Sequence, residues 1–384
     1  MISRKDHSYL AAADVLRIVA IGLVAWFHLW QQSWLNPGFR IGTNYIDIQR
    51  IIRCGYMGVD LMLLLSGFLL YLPCAKKSAA NLPIINASEF YHKRIFRIFP
   101  SYLLAVIIAL LFAVFTGREA GSAPLFWDFL SHLTMTHTFS RPTYIWSSLN
   151  VALWTVAIEV QFYLVFPWIA GAFTRRPGVT CCSMIFLSLL CRCLIFPLND
   201  VSMLFNQLPC MLDVYALGML AAYLCAKDKK PSVVYPFLSL AALCGIGWVL
   251  WMQNAPNTLD AQHAQIIWRL PLAVLGGVFL YAGALWPSGF SRTLGNPVTR
   301  FLSSISYNFY IWHQYLSVKL KKYHLPPYLS EMPQRDEGVD WQRRYFWLSL
   351  GMAILFAAIL TYLFERPVYK KLMHHFRKKT AFPK

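Results

Sequence analysis

The sequence predicts an all-α, polytopic integral membrane protein, and two observations lead to this fold class. Of the 384 residues, 57% are hydrophobic and only 14% are charged, whereas about a quarter of an ordinary soluble domain is charged. Apolar runs of roughly 18–24 residues recur, the length a helix needs to cross a bilayer. No polar domain interrupts them. We therefore expect one transmembrane domain over 1–384, with its membrane core at 10–370 and a basic cytoplasmic tail at 371–384.

About ten transmembrane helices are expected along the chain. Their predicted ranges are 13–34, 55–74, 96–116, 149–172, 180–198, 208–226, 233–252, 264–286, 298–318 and 344–364. The fifth and eighth carry the weakest apolar signal, because Arg192 and Arg269 interrupt or border them. Residues 125–139 are too short and too polar to span, so we expect an amphipathic or re-entrant segment there.

The distribution of basic residues predicts the orientation in the membrane. Ten spans place both termini on one side. If that side is the cytoplasm, the inner segments hold 21 Lys and Arg residues and the outer segments hold 12, as the positive-inside rule requires. This asymmetry, together with contact with anionic lipid headgroups, explains the net charge of +18. No nucleic-acid-binding motif is present, and we expect no nucleic-acid partner.

The nine cysteines show neither a disulfide pattern nor a metal-binding pattern. Most lie inside apolar runs, no two form a C-x-x-C pair, and no histidines lie near them. Small apolar packing residues account for this distribution. We therefore expect no disulfide framework and no bound metal.

Three ionisable residues lie in the first predicted helix: Asp14, Arg17 and His28. Such residues are costly in hydrocarbon unless they are paired or face water, so they are usually functional. Asp14 and Arg17 are three apart and can pair on one face. Arg17 and His28 share a face within roughly 20° and lie about 16 Å apart along the axis. The simpler alternative is an arginine that reaches the headgroups and a histidine bonded to neighbouring backbone.

A second basic group opens the third predicted helix at its cytoplasmic end. Arg94 and Arg97 are three apart and point the same way. With Lys93 and Arg17 they can form a site for a phosphorylated ligand that enters from the cytosol. The alternative is ordinary positive-inside flanking of a membrane helix.

Four other helices carry polar candidates. Asp60 has no basic residue within four positions, so its partner is expected on another helix. Ser66 and the glycine after it allow another helix to approach closely. Glu159, four residues before Tyr163, can orient a histidine, accept a proton or hold a sugar hydroxyl. Its structural alternative is a partner for an arginine of another helix. The last two candidates are Asp213 and His313.

The motifs that contain these residues occur together in one known family. Asp14-x-x-Arg17, followed after ten residues by His28, resembles the opening signature of the membrane acyltransferase-3 family. The segment GVDLMLLLSGFL (58–69) is similar to that family's G-x-D-x-F-F-x-x-S-G-F segment. Here a methionine and a leucine replace the usual aromatic pair.

Three further motifs extend the resemblance. Arg94-x-x-Arg97 resembles the family's R-x-x-R motif. LWTVAIEVQFYLVFP (153–167), which contains Trp154, is similar to its L-W-S-L-x-x-E-x-Q-F-Y segment. SYNFYIWHQ (306–314) resembles its closing S-Y-x-x-Y-L-W-H. The five motifs follow the family's order along the chain.

The resemblance implies an enzyme of the bacterial cytoplasmic membrane. It would transfer an acyl group, often acetyl, from cytoplasmic acyl-CoA to a hydroxyl of a cell-surface or lipid-linked saccharide. His28 would be the catalytic histidine, and Arg17, Arg94 and Arg97 would serve the acyl donor. The stretch before Asp213 lacks the arginine that many members have there.

The chemistry of acyl transfer suits these residues. A thioester donor needs a base for the acceptor hydroxyl and a group that steadies the developing charge, and a histidine fits the first role. The pantetheine arm of CoA can bridge the about 16 Å between Arg17 and His28. Glu159 or Asp60 can fix the imidazole tautomer, and the sequence leaves that choice open.

One alternative function remains from the sequence. A transporter or flippase for a lipid-linked saccharide would use the buried charges to line a pathway. For the acyltransferase, the outer segments 117–148 and 319–343 are expected to face the acceptor, because loops often set specificity.

Overall fold

A computed structural model describes residues 4–36, 38–80, 85–117, 121–227, 230–255 and 259–380 of the chain. In chain order the elements are α1 (Arg4–Ser33), β1 (Gly38–Ile41), β2 (Asn44–Asp47), α2 (Gln49–Arg53), α3 (Gly58–Ala79), α4 (Ala87–Thr116), α5 (Leu125–Leu133), α6 (Arg141–Tyr144), α7 (Trp154–Arg175), α8 (Pro177–Ile195), α9 (Leu212–Ala226), α10 (Val234–Gln253), α11 (Ala261–Gly283), α12 (Ser288–Leu294), α13 (Pro297–Lys322), α14 (Pro333–Asp336), α15 (Gly338–Ile359) and α16 (Arg366–Thr380). A π-helical turn, Leu360–Glu365, joins α15 to α16. The predicted all-α class is confirmed.

Nine helical segments in the described part of the chain are long and apolar enough to cross a membrane. They correspond to nine of the ten predicted spans. The tenth, at 298–318, is also helical, as α13, but it is too polar to meet the same criterion. The reason is that α13 carries buried polar side chains, among them Ser303, Asn308 and Ser317. The polytopic membrane class is therefore confirmed, and α13 is a helix whose polar face is covered by protein.

The chain divides into two compact units. Unit 1 comprises Met1–Ile84, Trp168–Ser304 and Tyr328–Phe346, and unit 2 comprises Ile85–Pro167, Ile305–Pro327 and Trp347–Lys384. The expectation of a single transmembrane domain stays a prediction. The predicted basic tail is helical as far as residue 380, within α16, and its last residues, 381–384, lie outside the described part.

Unit 1 is built around the contact between α3 and α9. A methyl group on Gly67 would lie 2.4 Å from the carbonyl oxygen of Tyr215, and one on Gly218 would lie 2.1 Å from that of Leu64. Only glycine allows backbones to approach so closely. The close approach predicted beside Ser66 is therefore confirmed, and Ser66 itself is half-buried.

A short hairpin, absent from the sequence prediction, follows α1. Strands β1 and β2 pair antiparallel, with Gly38 opposite Asp47. Gly42 in the connecting turn has φ +60°, a conformation that glycine adopts without steric cost. This hairpin is the only β-structure in the described residues.

In unit 2, tyrosine hydroxyls link distant segments by donating to backbone carbonyls. Tyr102 of α4 donates to the carbonyl of His132 at 2.8 Å, and Tyr307 of α13 donates to that of Ile98 at 2.9 Å.

The segment 125–139 forms α5 and a short 3₁₀ turn rather than a span, as expected.

Candidate active site

In unit 1, the candidates Asp14 and Arg17 on α1 contact the start of α13. The guanidinium of Arg17 donates to the Ser303 hydroxyl at 2.9 Å, and it lies 3.8 Å from the Asp14 carboxylate. Ser303 in turn donates to Asp14. The predicted pairing of Asp14 with Arg17 is confirmed, and a serine that the sequence did not single out joins them.

His28 is half-buried near the other end of α1. Its Nδ1 lies 3.0 Å from the amide oxygen of Gln31, one turn further on, and the ring of Phe27 lies 5.0 Å from its own. Because an amide oxygen only accepts, the neutral ring carries its proton on Nδ1 and its lone pair on Nε2. That tautomer is the one a general base working through Nε2 requires.

The second basic group lies on α4, in unit 2. The guanidinium of Arg94 packs over the rings of Phe90 and Tyr163, 5.6 Å from each centroid. Its buried Nε has no hydrogen-bond partner among the described residues. Arg97 is exposed. No carboxylate of the described chain lies within ion-pair distance of either arginine, whereas Lys93 pairs with Glu89 at 2.6 Å.

Tyr163 connects this basic group to Glu159. Its hydroxyl donates to the Glu159 carboxylate one turn earlier on α7, and the charges of Arg94 and Arg97 act on the same hydroxyl. At the start of α7, Trp154 packs edge-on against Tyr144. Unit 2 therefore places a carboxylate, a phenol and two arginines in one neighbourhood.

Helix α13 and the π-helical turn add polar groups that sequence reasoning missed. Asn308 donates to Glu365 at 2.6 Å and to Thr361 at 2.9 Å, and the charge of Arg97 acts on Glu365. No sequence pattern singles these residues out. The π-helical turn points to them, since such turns are frequent at functional sites, but it is visible only in the structure. His313 is buried, and its Nδ1 donates to the carbonyl of Tyr310 at 2.7 Å.

Asp60 and Asp213 are both buried in unit 1, and each pairs with an arginine. Arg269 donates to Asp60 at 3.0 Å, and Gln265 donates to the other Asp60 oxygen at 3.2 Å. Arg192 pairs with Asp213. The expected partner of Asp60 on another helix is thus Arg269 of α11. Both Asp60 oxygens are thus occupied, and Gln31, which contacts His28 Nδ1 directly, is a third candidate for orienting that ring.

Sequence reasoning also missed a buried histidine pair in unit 2. The rings of His132 and His137 stack at 4.0 Å, nearly parallel, and His132 Nδ1 donates to the carbonyl of Asp128 at 2.8 Å. Burial, and after it the neighbouring His132 ring, hold the pKa of His137 well below its usual range. The His137 ring is therefore uncharged at neutral pH.

Comparison with known protein families decides the class of the molecule. The Acyl_transf_3 acyltransferase domain matches residues 10–365. The chain belongs to this family. The predicted family and the predicted class of enzyme, an acyltransferase, are thereby confirmed, and both favour an enzyme over a transporter.

Similar proteins cover the chain to different extents. A protein of Acidianus two-tailed virus named as a candidate acetyltransferase is 25% identical over 76% of this chain and 78% of its own length. A candidate O-acetyltransferase of Staphylococcus aureus is 23% identical over 94% of this chain, which spans 63% of that protein. A candidate peptidoglycan O-acetyltransferase of Bacillus subtilis is 28% identical over 49% of this chain and 28% of its own length. No solved structure matches the chain at a significant level.

Proposed function

We propose that the chain is an integral-membrane O-acyltransferase of the bacterial cytoplasmic membrane. It moves an acyl group, acetyl in the simplest case, from cytoplasmic acyl-CoA to a hydroxyl of a cell-surface or lipid-linked saccharide. Membership of the acyltransferase family supports the reaction class. The names of the staphylococcal and Bacillus relatives support acetyl as the acyl group and a saccharide as the acceptor.

The surroundings of Arg94 and Arg97 support the assignment of these residues to the acyl donor. Neither lies within ion-pair distance of a carboxylate of the described residues, and Arg94 Nε is buried without a hydrogen-bond partner among them. A buried N–H group left without an acceptor is costly, and a ligand with phosphates would supply acceptor oxygens to both guanidinium groups. CoA carries such phosphates. Lys93 pairs with Glu89 and would therefore contribute less to phosphate binding. Arg17 is the further basic residue that the family motif assigns to the acyl donor.

His28 is proposed as the general base. Its Nε2 takes the proton of the acceptor hydroxyl while that oxygen attacks the thioester carbonyl. The C–S bond then breaks, the new ester C–O bond remains, and the proton passes to the CoA thiolate, so that free CoA leaves as the thiol. Gln31 holds the Nδ1 proton and fixes the tautomer. Glu159 and Tyr163 form a second proton-handling pair beside Arg94, and a role in catalysis for Glu159 stays a prediction.

The remaining candidates are assigned positioning or structural roles. Asp60 and Asp213 are proposed to hold α3 and α9 through their arginine partners. Asp14 steadies Arg17 through Ser303. His313 is proposed to fix the local geometry of α13 through its bond to Tyr310.

The test replaces His28 and follows acyl transfer. In membranes that contain His28→Ala, acetyl-CoA-dependent release of thiol and O-acetylation of surface saccharides should fall about 10²–10⁴-fold. His375→Ala, on the exposed side of α16, is the matched control and should keep wild-type rates. Transfer by His28→Ala at the wild-type rate would overturn the catalytic assignment. Saccharide movement across the membrane without acyl-CoA consumption would instead support the transporter.

A further inference from the structure

A groove of about 550 Å³ opens in unit 2 between α5 and the segment 136–143. The positive-inside rule places this part of the chain on the outer side of the membrane. The groove lies within unit 2 alone and contains none of the residues proposed above for catalysis. Its size falls within the range of small-molecule sites.

The lining of the groove combines exposed aromatic rings with hydroxyl groups. Trp127 and Phe139 are 58% and 59% exposed, although both are large apolar side chains. Five of the lining residues carry hydroxyls, namely Ser122, Ser131, Thr136, Ser140 and Thr143. None of the lining residues that the structure describes is charged. This chemistry suits a neutral, hydroxyl-rich ligand with flat apolar faces.

Two of the five lining hydroxyls, those of Ser131 and Thr143, donate within the protein and keep lone pairs that can accept. Ser131 donates to the carbonyl of Asp128 at 2.8 Å, and Thr143 donates to the carbonyl of His137 at 2.9 Å. A hydroxyl that uses its single proton in this way keeps lone pairs for incoming donors. Sugar hydroxyls are such donors, whereas a hydrocarbon chain offers none.

The walls of the groove are fixed before any ligand arrives. The fully buried carboxylate of Asp128 accepts from the Ser147 hydroxyl at 3.1 Å and from the Ser148 amide at 2.9 Å. The Ser148 hydroxyl donates to Ser122 at 2.8 Å, at the groove edge. Because these bonds tie α5 to the segments before and after it, binding here requires little ordering of the chain.

We propose that this groove is the acceptor subsite, which binds a neutral saccharide chain with its sugar faces against Trp127 and Phe139. The inference rests on the proposed function and adds where and by what chemistry the acceptor is held. Exposed aromatic residues also occur in the interfacial belts of membrane proteins. The hydroxyl-lined walls between these two rings are what favours a saccharide over lipid.

The experiment compares the double variant Trp127→Ala/Phe139→Ala with a matched double variant, Phe115→Ala/Trp168→Ala. Phe115 and Trp168 are 84% and 72% exposed but do not line the groove. Two readouts are followed: O-acetyl groups on surface saccharides of cells, by mass spectrometry, and binding of labelled acetyl-CoA to the purified chain in nanodiscs. Because the cell's own saccharides serve as acceptors, the first readout does not require the acceptor to be identified.

We expect the groove variant to lose surface acetylation by at least about tenfold, with acetyl-CoA binding within about twofold of wild type. The matched variant should keep both, and Trp127→Phe/Phe139→Tyr, which retains aromatic faces, should restore transfer. Wild-type acetylation by the groove variant, equal losses in the matched variant, or a parallel loss of acetyl-CoA binding would each overturn the subsite. Failure of the proposed function looks different, because the wild-type chain itself would then neither bind acetyl-CoA nor acetylate saccharides.

Discussion

Two pairs of arginines within apolar helices show opposite environments. Arg192 and Arg269 lie in the core of unit 1, where Arg269 bonds to Asp60, the Asn206 side chain and the Phe205 carbonyl. Arg94 and Arg97 lie on α4 of unit 2 with no carboxylate of the described chain within ion-pair distance, and Arg94 packs over two aromatic rings. The first two arginines are thus paired within the protein, whereas Arg94 has a buried Nε without an acceptor among the described residues and Arg97 is exposed.

The surroundings of each arginine pair indicate whether it stabilises the fold or binds a ligand. A buried charge that is fully paired within the protein has no capacity left for a ligand, and its removal strands the partner. A basic group whose hydrogen bonds are incomplete can still bind the acceptor oxygens of a ligand. We therefore expect the first pair to control stability and the second pair to control donor binding.

The largest effect on stability is expected where a buried ion pair is broken. Arg269→Met leaves the Asp60 carboxylate buried without its partner, and this should cost about 3–5 kcal/mol of unfolding free energy. Thermal unfolding of the detergent-solubilised chain measures it. The double variant Asp60→Leu/Arg269→Met, which removes both charges, should recover much of the loss. If Arg269→Met unfolds like the wild type, the pair does not hold unit 1 together.

A smaller loss is expected where α3 and α9 approach most closely. These helices carry Asp60 and Asp213, so a change in their separation disturbs both ion pairs. Gly218→Ala places a methyl group against the Leu64 carbonyl and should cost about 1–3 kcal/mol. Gly171→Ala is the control, because its added methyl group meets nothing within 4 Å. Equal stability of the two variants would show that the helix contact tolerates a wider spacing.

The histidine pair of unit 2 predicts a dependence of stability on pH. The pKa of His137 is held well below its usual range, so below about pH 6.5 the unfolded chain binds a proton that the folded chain does not. The contribution of His137 to the free energy of unfolding is therefore fully present above that pH. It decreases as the pH falls, by up to about 1.4 kcal/mol per pH unit. His137→Gln should flatten this slope and His375→Gln should not. An unchanged slope in His137→Gln would assign the effect to other groups.

The sequence predicts most of the fold, because apolar length determines where membrane helices form. It also predicts the pairing of Asp14 with Arg17 and the close contact at Gly67. Arg192 and Arg269 are read from the sequence as flaws in two spans, although two buried aspartates in other helices required two such partners. Charge balance among membrane helices was the signal that could have identified them.

The remaining features depend on contacts between distant segments. Gln31 is close to His28 in sequence, but its bond to Nδ1 depends on side-chain rotamers that no pattern encodes. The stacking of His132 on His137 follows from the turn after α5, where Met135 has φ +59°. Asn308 and Glu365 meet only because α13 packs beside the π-helical turn.

The smallest effect on stability is expected for Arg94→Ala/Arg97→Ala, which removes no ion pair. Its unfolding should stay within about 0.5 kcal/mol of wild type. Arg175→Ala/Arg176→Ala makes the same charge change at two exposed arginines on the predicted cytoplasmic side, and it should behave alike. A large loss of stability in the first variant alone would mean that Arg94 and Arg97 belong to the fold after all.

The same variant tests the central claim when two donors are compared in the acyl-transfer assay. Acetyl-CoA carries phosphates, whereas S-acetylpantetheine has the same thioester and arm without them. We predict that Arg94→Ala/Arg97→Ala raises KM for acetyl-CoA by about 10–100-fold and leaves KM for S-acetylpantetheine unchanged, while Arg175→Ala/Arg176→Ala changes neither. An equal change in KM for both donors, or no change for acetyl-CoA, would contradict the assignment of these arginines to the donor phosphates.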